Sequence, residues 1–254
     1  MTEELRDEGR ERPRGRHRIS VAPWCAAVAL AAWIPAFLPG GLTAQITVPE
    51  ISSVHTSSLL ARIERHVDEA VLAETDERRD SHLAAGEQLA RALVEQEPGS
   101  ADAHYWLGIV LGIRTENTGG VGKLNLGREV FDVSLRVLEI DSLHAGGQEL
   151  MGRVHASIQR LNWVTRRIAL SGDLGDRVGE SSWEAAMTYF RRASELDPDA
   201  LAPRLELARI HLERADPTKG RSLLEDVLSR EPTSLVEERM LEEAERLLDL
   251  HPLP

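Results

Sequence analysis

Apolar residues recur three and four positions apart along most of the chain after residue 56, the spacing that lays a single stripe on an α-helix. Leu59, Ile63, Val67 and Val71 mark such a stripe over Ser57–Thr75, and Leu83, Leu89, Ala92 and Leu93 mark another over Arg79–Glu95, so the two segments predict a helix pair that ends at Pro98. Ser100 stands where a cap belongs before the run Ala101–Ile113, with Asp102 in the first turn, where a carboxylate meets the positive end of the helix dipole. The next segment carries two stripes, Leu124, Phe131, Leu135 and Leu138 on one side and Leu126, Val130, Val133 and Val137 on another, the pattern of a helix sandwiched between neighbours. Ser181 with Glu184, and Ser234 with Glu237, have capping-box spacing, while Pro217 fits a first turn, where its missing N–H costs nothing. The final run, Leu235–Leu250, turns Leu235, Met240, Leu241, Ala244, Leu247 and Leu248 inward and Glu237, Glu238, Glu242, Glu243 and Glu245 outward, as a terminal capping helix requires.

These helices repeat in phase. Four of them stop alike, at Glu97-Pro98, Asp141-Ser142, Asp197-Pro198 and Glu231-Pro232, and a small residue, Gly108, Gly152 or Ala208, stands ten positions beyond each of the first three stops. A small residue at one recurring helical position predicts a close backbone crossing between paired helices. Measured against the 24 residues from Ala208 to Pro232, the interval from Gly108 to Ser142 is ten longer and that from Gly152 to Pro198 twenty-two longer. Both insertions therefore fall between the first and second helix of a pair. Leu, Ala, Glu and Arg dominate this part of the chain, and an aromatic content of 4% argues against a β-rich fold.

The run Ala101-Asp102-Ala103-His104-Tyr105-Trp106-Leu107-Gly108 resembles the opening of a tetratricopeptide repeat, and Tyr189-Phe190-Arg191-Arg192-Ala193-Ser194-Glu195-Leu196-Asp197-Pro198 resembles its close. The expected fold is all-α: a tetratricopeptide-like superhelical stack of antiparallel helix pairs over residues 57–254, closed by a C-terminal capping helix. Three further stretches, Lys123-Leu124-Asn125-Leu126, Leu161-Asn162-Trp163-Val164-Thr165-Arg166-Arg167-Ile168-Ala169 and Ser182-Trp183-Glu184-Ala185-Ala186, resemble the regulator of microtubule dynamics family and its bacterial relatives. That resemblance spans roughly Arg79 to Pro232. It implies a helical binding domain without an established catalytic centre.

The first 44 residues have a different character. Arg6, Arg10, Arg12, Arg14, Arg16 and Arg18 precede an apolar stretch from Val21 to Leu38, and the small residues Gly40, Gly41 and Ala44 follow. This order reads as a secretory signal cut after Ala44, with residues 45–56 as a linker; the other reading is an uncleaved anchor through residues 21–38. Export to the periplasm follows from the first reading and membrane contact only from the second. The one cysteine, Cys25, lies within the apolar stretch, so a cleaved chain has no disulfide or thiolate metal site. A formal net charge of −12 leaves nothing to offset phosphate repulsion and argues against a nucleic-acid partner.

Little in the chain resembles catalytic machinery. None of the nine histidines pairs with another at the four-residue spacing of a helical metal site, no Gly-x-Ser-x-Gly elbow occurs, and no cofactor motif stands out. Gly119-Gly120-Val121-Gly122-Lys123 lacks the P-loop's first glycine, since Asn117 stands there, and its Ser or Thr, since Leu124 follows the lysine; it reads as a connector. The expected function is a non-catalytic protein-interaction scaffold of the bacterial cell envelope. The alternative is a helical-domain enzyme or metal-binding protein whose site is assembled across helices.

In a stack of this kind the first helix of each pair lines the concave face. Counting from Ala101, Ala145 and Leu201, the fifth and ninth positions are Tyr105 and Ile109, Glu149 and Arg153, Leu205 and Arg209. Tyr105, Glu149, Arg153, Leu205 and Arg209 are the candidate partner-binding residues. Arg153 and Arg209 would clamp a partner's carboxylate through the guanidinium fork, or else pair with the chain's own acids. Trp163 with Arg166 and Arg167 forms a second cluster, either an interaction hot spot or the anchor of the long insertion.

Overall fold

The computed structural model describes residues 48–170 and 179–252. The expected signal segment, residues 1–44, lies outside them. Among the described residues every regular element is a helix: α1 (Val48–Val71), α2 (Asp76–Gln96), α3 (Ala101–Glu116), α4 (Gly120–Ile140), α5 (Ala145–Arg160), α6 (Trp163–Leu170), α7 (Trp183–Leu196), α8 (Ala202–Glu213), α9 (Pro217–Leu228) and α10 (Leu235–Leu250). None of them is long and apolar enough to cross a membrane.

Short turns fold α1 with α2, α3 with α4, and α8 with α9 into antiparallel pairs, α5 pairs with α7 across a longer insertion, and α10 seals the last pair. The fold is thus a tetratricopeptide-like helical stack. Side-chain caps delimit the elements: the Ser100 hydroxyl accepts the Ala103 N–H at 3.2 Å, the Ser234 hydroxyl accepts that of Glu237 at 3.2 Å, and Pro217 occupies the first turn of α9. Two starts differ from the sequence expectation. α7 is capped by Ser182, whose hydroxyl accepts the Ala185 N–H at 3.0 Å, while Ser181 is buried and its carbonyl accepts the Gln159 side-chain amide at 2.6 Å. Residues 48–56, expected as linker, lie within α1 (Val48–Val71). The same helix stops at Val71, leaving Thr75 to cap α2 through the Arg78 N–H. Likewise Gly119–Lys123 is the start of α4 rather than a connector, with Gly120 at a φ of 60°.

The recurring small residues do sit at close crossings. A side chain on Gly152 would meet the Phe190 ring of α7 at 3.0 Å, and one on Gly108 would run into Leu150 and approach Val133 of α4 at 3.4 Å. Ala208 is fully buried, and its carbonyl lies 3.2 Å from where a side chain on Gly220 of α9 would begin. The longest insertion holds α6 and lies between α5 and its partner α7. It is pinned by Arg166, which donates to Gln159 Oε1 at 3.1 Å.

The core runs down the stack in successive clusters. Ile63, Leu83, Leu93, Leu107, Val110, Leu111, Val133 and Leu150 fill the first pairs; Phe190, Leu207 and Ile210 the middle; Leu205, Ala208, Leu224, Val227 and Ala244 the end. On α10, Met240, Leu241, Leu247 and Leu248 pack inward around Ala244, but Leu235 is exposed, since it follows the Ser234 cap directly and turns outward. Leu135 on α4 is exposed as well, so that helix buries Val130, Val133 and Val137 of one stripe but not the whole of the stripe that runs from Leu124 to Leu138. From the other end of the chain, Arg239 of α10 donates to the carbonyls of Val71 and Leu72 at 3.5 and 3.4 Å, where the C-terminus of α1 favours a cation.

Candidate functional site

α3, α5 and α8 are the first helices of successive pairs, and their opening turns meet along one face. Tyr105 of α3 lies against the first turn of α5, its ring centre 5.2 Å from that of His144 and 5.4 Å from that of Trp106. Gly146 permits this contact, because a side chain there would stand 2.5 Å from the Tyr105 ring. His144 caps α5 by accepting the Gly147 N–H at its Nδ1, and its Nε2 lies 3.0 Å from Asp102 Oδ1. That hydrogen bond holds the Asp102 carboxyl below its ordinary value, and burial pushes the Tyr105 phenol above its own. Between these turns opens a cavity of about 290 Å³, lined by Asp102, Tyr105 and Trp106 of α3, by His144, Gly146 and Glu149 at the start of α5, and by Asp197 and Pro203 beside α8.

Deeper along the same face lies a charge network that the sequence did not disclose. Glu206 is 3% exposed and is met by three arginines: Arg209 at 2.8 Å, Arg153 at 3.3 Å and Arg160 at 3.4 Å. Each arginine also holds a second acid, Glu149 for Arg153 at 2.8 Å, Glu213 for Arg160 at 3.0 Å, and Glu243 for Arg209 at 3.4 Å. Arg160 lies 5.8 Å from the centre of the Trp183 ring. Burial pulls the Glu206 carboxyl upward, but Arg153, Arg209 and Arg160 together outweigh it and hold the group below its ordinary range.

The expected row of partner-binding residues therefore divides. Tyr105 and Glu149 line the cavity. Arg153 and Arg209 are bound to the chain's own acids, above all Glu206, which is the second of the two readings open for them. Leu205 is a core residue: the fifth position of these helices points at the next element of the stack, as Tyr105 does toward Gly146, and Leu205 there joins Ala244 of α10. The second cluster separates too. Trp163 is 78% exposed at the start of α6, so it does not anchor the insertion; Arg166 does that, and Arg167 is exposed.

Sequence reasoning missed Glu206, Arg160, Asp102, Trp106, His144 and Asp197. Glu206 leaves one trace, an acid between Leu205 and Leu207 in a run that is otherwise buried. Elsewhere His66 and His82 face each other with their Nδ1 atoms 3.2 Å apart, and His155 stacks on Tyr189 at 5.3 Å between ring centres. Burial lowers the affinity of both His66 and His155 for a proton. Among the described residues no three metal-ligating side chains converge.

Comparison with known proteins adds a family to this geometry. The regulator of microtubule dynamics protein 1 of Caenorhabditis elegans is 24% identical over 193 residues, which are 76% of this chain and 84% of that protein. Its counterpart in Bos taurus is 28% identical over 148 residues, 58% of this chain and 46% of the bovine protein, so the chain spans less than half the length of that relative. Among solved structures, a thermophilic TPR protein of Thermus thermophilus shares 14% identity over 73% of this chain and 82% of its own, with a TM-score of 0.47. The model of the family described as regulator of microtubule dynamics protein 1–3 matches residues 47–251, from before the start of α1 to past the end of α10, and the chain belongs to that family.

Proposed function

We propose that this protein is a non-catalytic interaction scaffold of the bacterial cell envelope, which receives a peptide or protein partner on the face formed by α3, α5 and α8. One observation carries the reading: the opening turns of these three helices leave a cavity of about 290 Å³ between them, walled by half-buried Tyr105 and Trp106. Aromatic residues at such positions supply contact area at low entropic cost, which is why they dominate interaction hot spots. The order of basic, apolar and small residues over 1–44 supports export, either with cleavage after Ala44 or with residues 21–38 kept as an anchor. The named relatives are regulators of microtubule dynamics. An exported chain would meet no microtubules, so what passes to this protein is the helical scaffold and not its cytoskeletal target.

Two measurements test the reading. Residues 1–44 fused to a reporter enzyme that is active only outside the cytoplasm should give activity, and its absence removes the envelope assignment. Wild-type protein on a support should retain a partner from envelope extract that Tyr105→Asp loses while keeping its helical circular dichroism. Retention of the same partner at undiminished yield by Tyr105→Asp places binding elsewhere and refutes the inner-face assignment.

A further inference from the structure

The lining of the cavity has a consistent chemistry. Three carboxylates, Asp102, Glu149 and Asp197, border it with His144, whose Nε2 lies 3.0 Å from Asp102; Tyr105 and Trp106 form its apolar wall, and among the described residues no lysine or arginine lines it. Arg153 does not line the cavity among the described residues, but its Nε donates to Glu149 and its Nη1 to Glu206, so the Glu149 charge is already met within the chain. Three helix N-termini approach the cavity, each worth about half a positive charge, and with Glu149 met by Arg153 the carboxylates of Asp102 and Asp197 still outweigh them. At about 290 Å³ the space lies at the lower edge of the roughly 300–1,000 Å³ typical of small-molecule sites, enough for one long side chain and too little for a helix. Tyr105 and Trp106, packed edge to face, give the cavity aromatic surface of the kind that attracts a cation.

We infer that the cavity takes one basic side chain, lysine or arginine, from an extended segment of the partner. This rests on the inner-face reading above and gives that partner a chemistry. The alkyl stem lies along Tyr105 and Trp106, and the charged head meets Asp102 and Asp197. The polarity is opposite to the carboxylate clamp expected of Arg153 and Arg209, because those arginines are already satisfied within the chain.

The test uses the purified full chain and three labelled short peptides of alternating serine with lysine, acetyl-lysine or glutamate, read by fluorescence anisotropy at low and high salt. The lysine peptide should bind, weaken with salt, and lose about tenfold in affinity in the Asp102→Asn, Asp197→Asn double variant, as removal of charge-assisted contacts requires. Gly146→Ala, whose methyl would run into the Tyr105 ring, should weaken it as well. Glu238→Gln with Glu242→Gln, on the outer face of α10, should not. If the outer-face variant weakens binding as much as the cavity variant, the peptide is responding to net charge alone and the inference fails. It fails equally if the lysine peptide does not bind, or if the acetyl-lysine peptide binds as well. Should a neutral or acidic peptide bind and be lost in Tyr105→Asp, the inner-face reading stands and only its polarity is wrong; if binding is unaffected by Tyr105→Asp, the inner-face reading falls too.

Discussion

Replacing Glu206 with glutamine removes the charge at the centre of the inner-face network while keeping its volume. Glu206 is 3% exposed, and three arginines from two helices converge on it. Removing one partner of a buried ion pair costs about 3–5 kcal/mol, because the remaining charge is stranded. Here the stranding is incomplete. The arginine side chains are each about one-third exposed, and each keeps a second acid, Glu149, Glu213 or Glu243. Glutamine also still accepts one hydrogen bond, so the expected loss falls to about 2 kcal/mol. Arg153→Ala, Arg160→Ala and Arg209→Ala each leave Glu206 two cations and should cost about 1 kcal/mol. Urea unfolding followed by circular dichroism measures both, from midpoint and slope. The pH dependence supplies an internal control. A carboxyl held below its unfolded value contributes stability in full above that value, 4.5 for glutamate, and loses it as pH falls through the folded value. The gap between wild type and Glu206→Gln should therefore be constant near neutrality and narrow below pH 4.5. A Glu206→Gln protein as stable as wild type, or a gap that persists unchanged into acid, would refute the view that the three arginines hold this carboxylate charged.

Further outcomes follow from packing and exposure. Gly152→Ala places a methyl 3.0 Å from the Phe190 ring, and thermal unfolding should report a loss of about 1–3 kcal/mol from overpacking. Phe190→Ala empties a fully buried site and should cost about 3–5 kcal/mol in the same assay. Trp163→Ser, at a side chain that is 78% exposed, should leave stability within about 0.5 kcal/mol of wild type. In an alkaline absorbance titration Tyr105 should not ionise at its ordinary value of 10.0, so Tyr105→Phe and wild type should show the same absorbance step there.

What could be read from the chain was whatever depends on near neighbours. Ser100, Ser234 and Pro217 announce helix starts because a cap acts within three residues. Gly108, Gly152 and Ala208 mark crossings because a repeat places the same demand at the same interval. Where two local solutions compete, the pattern misleads: Ser181 and Ser182 both qualify as caps, and only the Gln159 bond to the Ser181 carbonyl shows which one is inside. Counting positions puts Leu205 on the concave face and apolar spacing puts Leu235 in the core, yet Leu205 meets Ala244 and Leu235 meets water. The Glu206 network was out of reach, since Arg153 and Arg160 stand 53 and 46 positions away and only the folded stack brings them together. The cavity is of the same kind: Asp102, His144 and Asp197 belong to three separate turns.

The bond from Arg239 to the end of α1 bears on how this protein can evolve. An open array of repeats gains or loses units by duplication or deletion without disturbing its ends, since each unit touches only its neighbours. Here an added helix pair would carry α10 one step further around and take Arg239 away from Val71 and Leu72. The number of units is thereby tied to a contact between residues at opposite ends of the stack. Lengthening what lies inside a unit, where the segment containing α6 is already longer than its counterparts in this chain, leaves that contact in place; adding another unit does not.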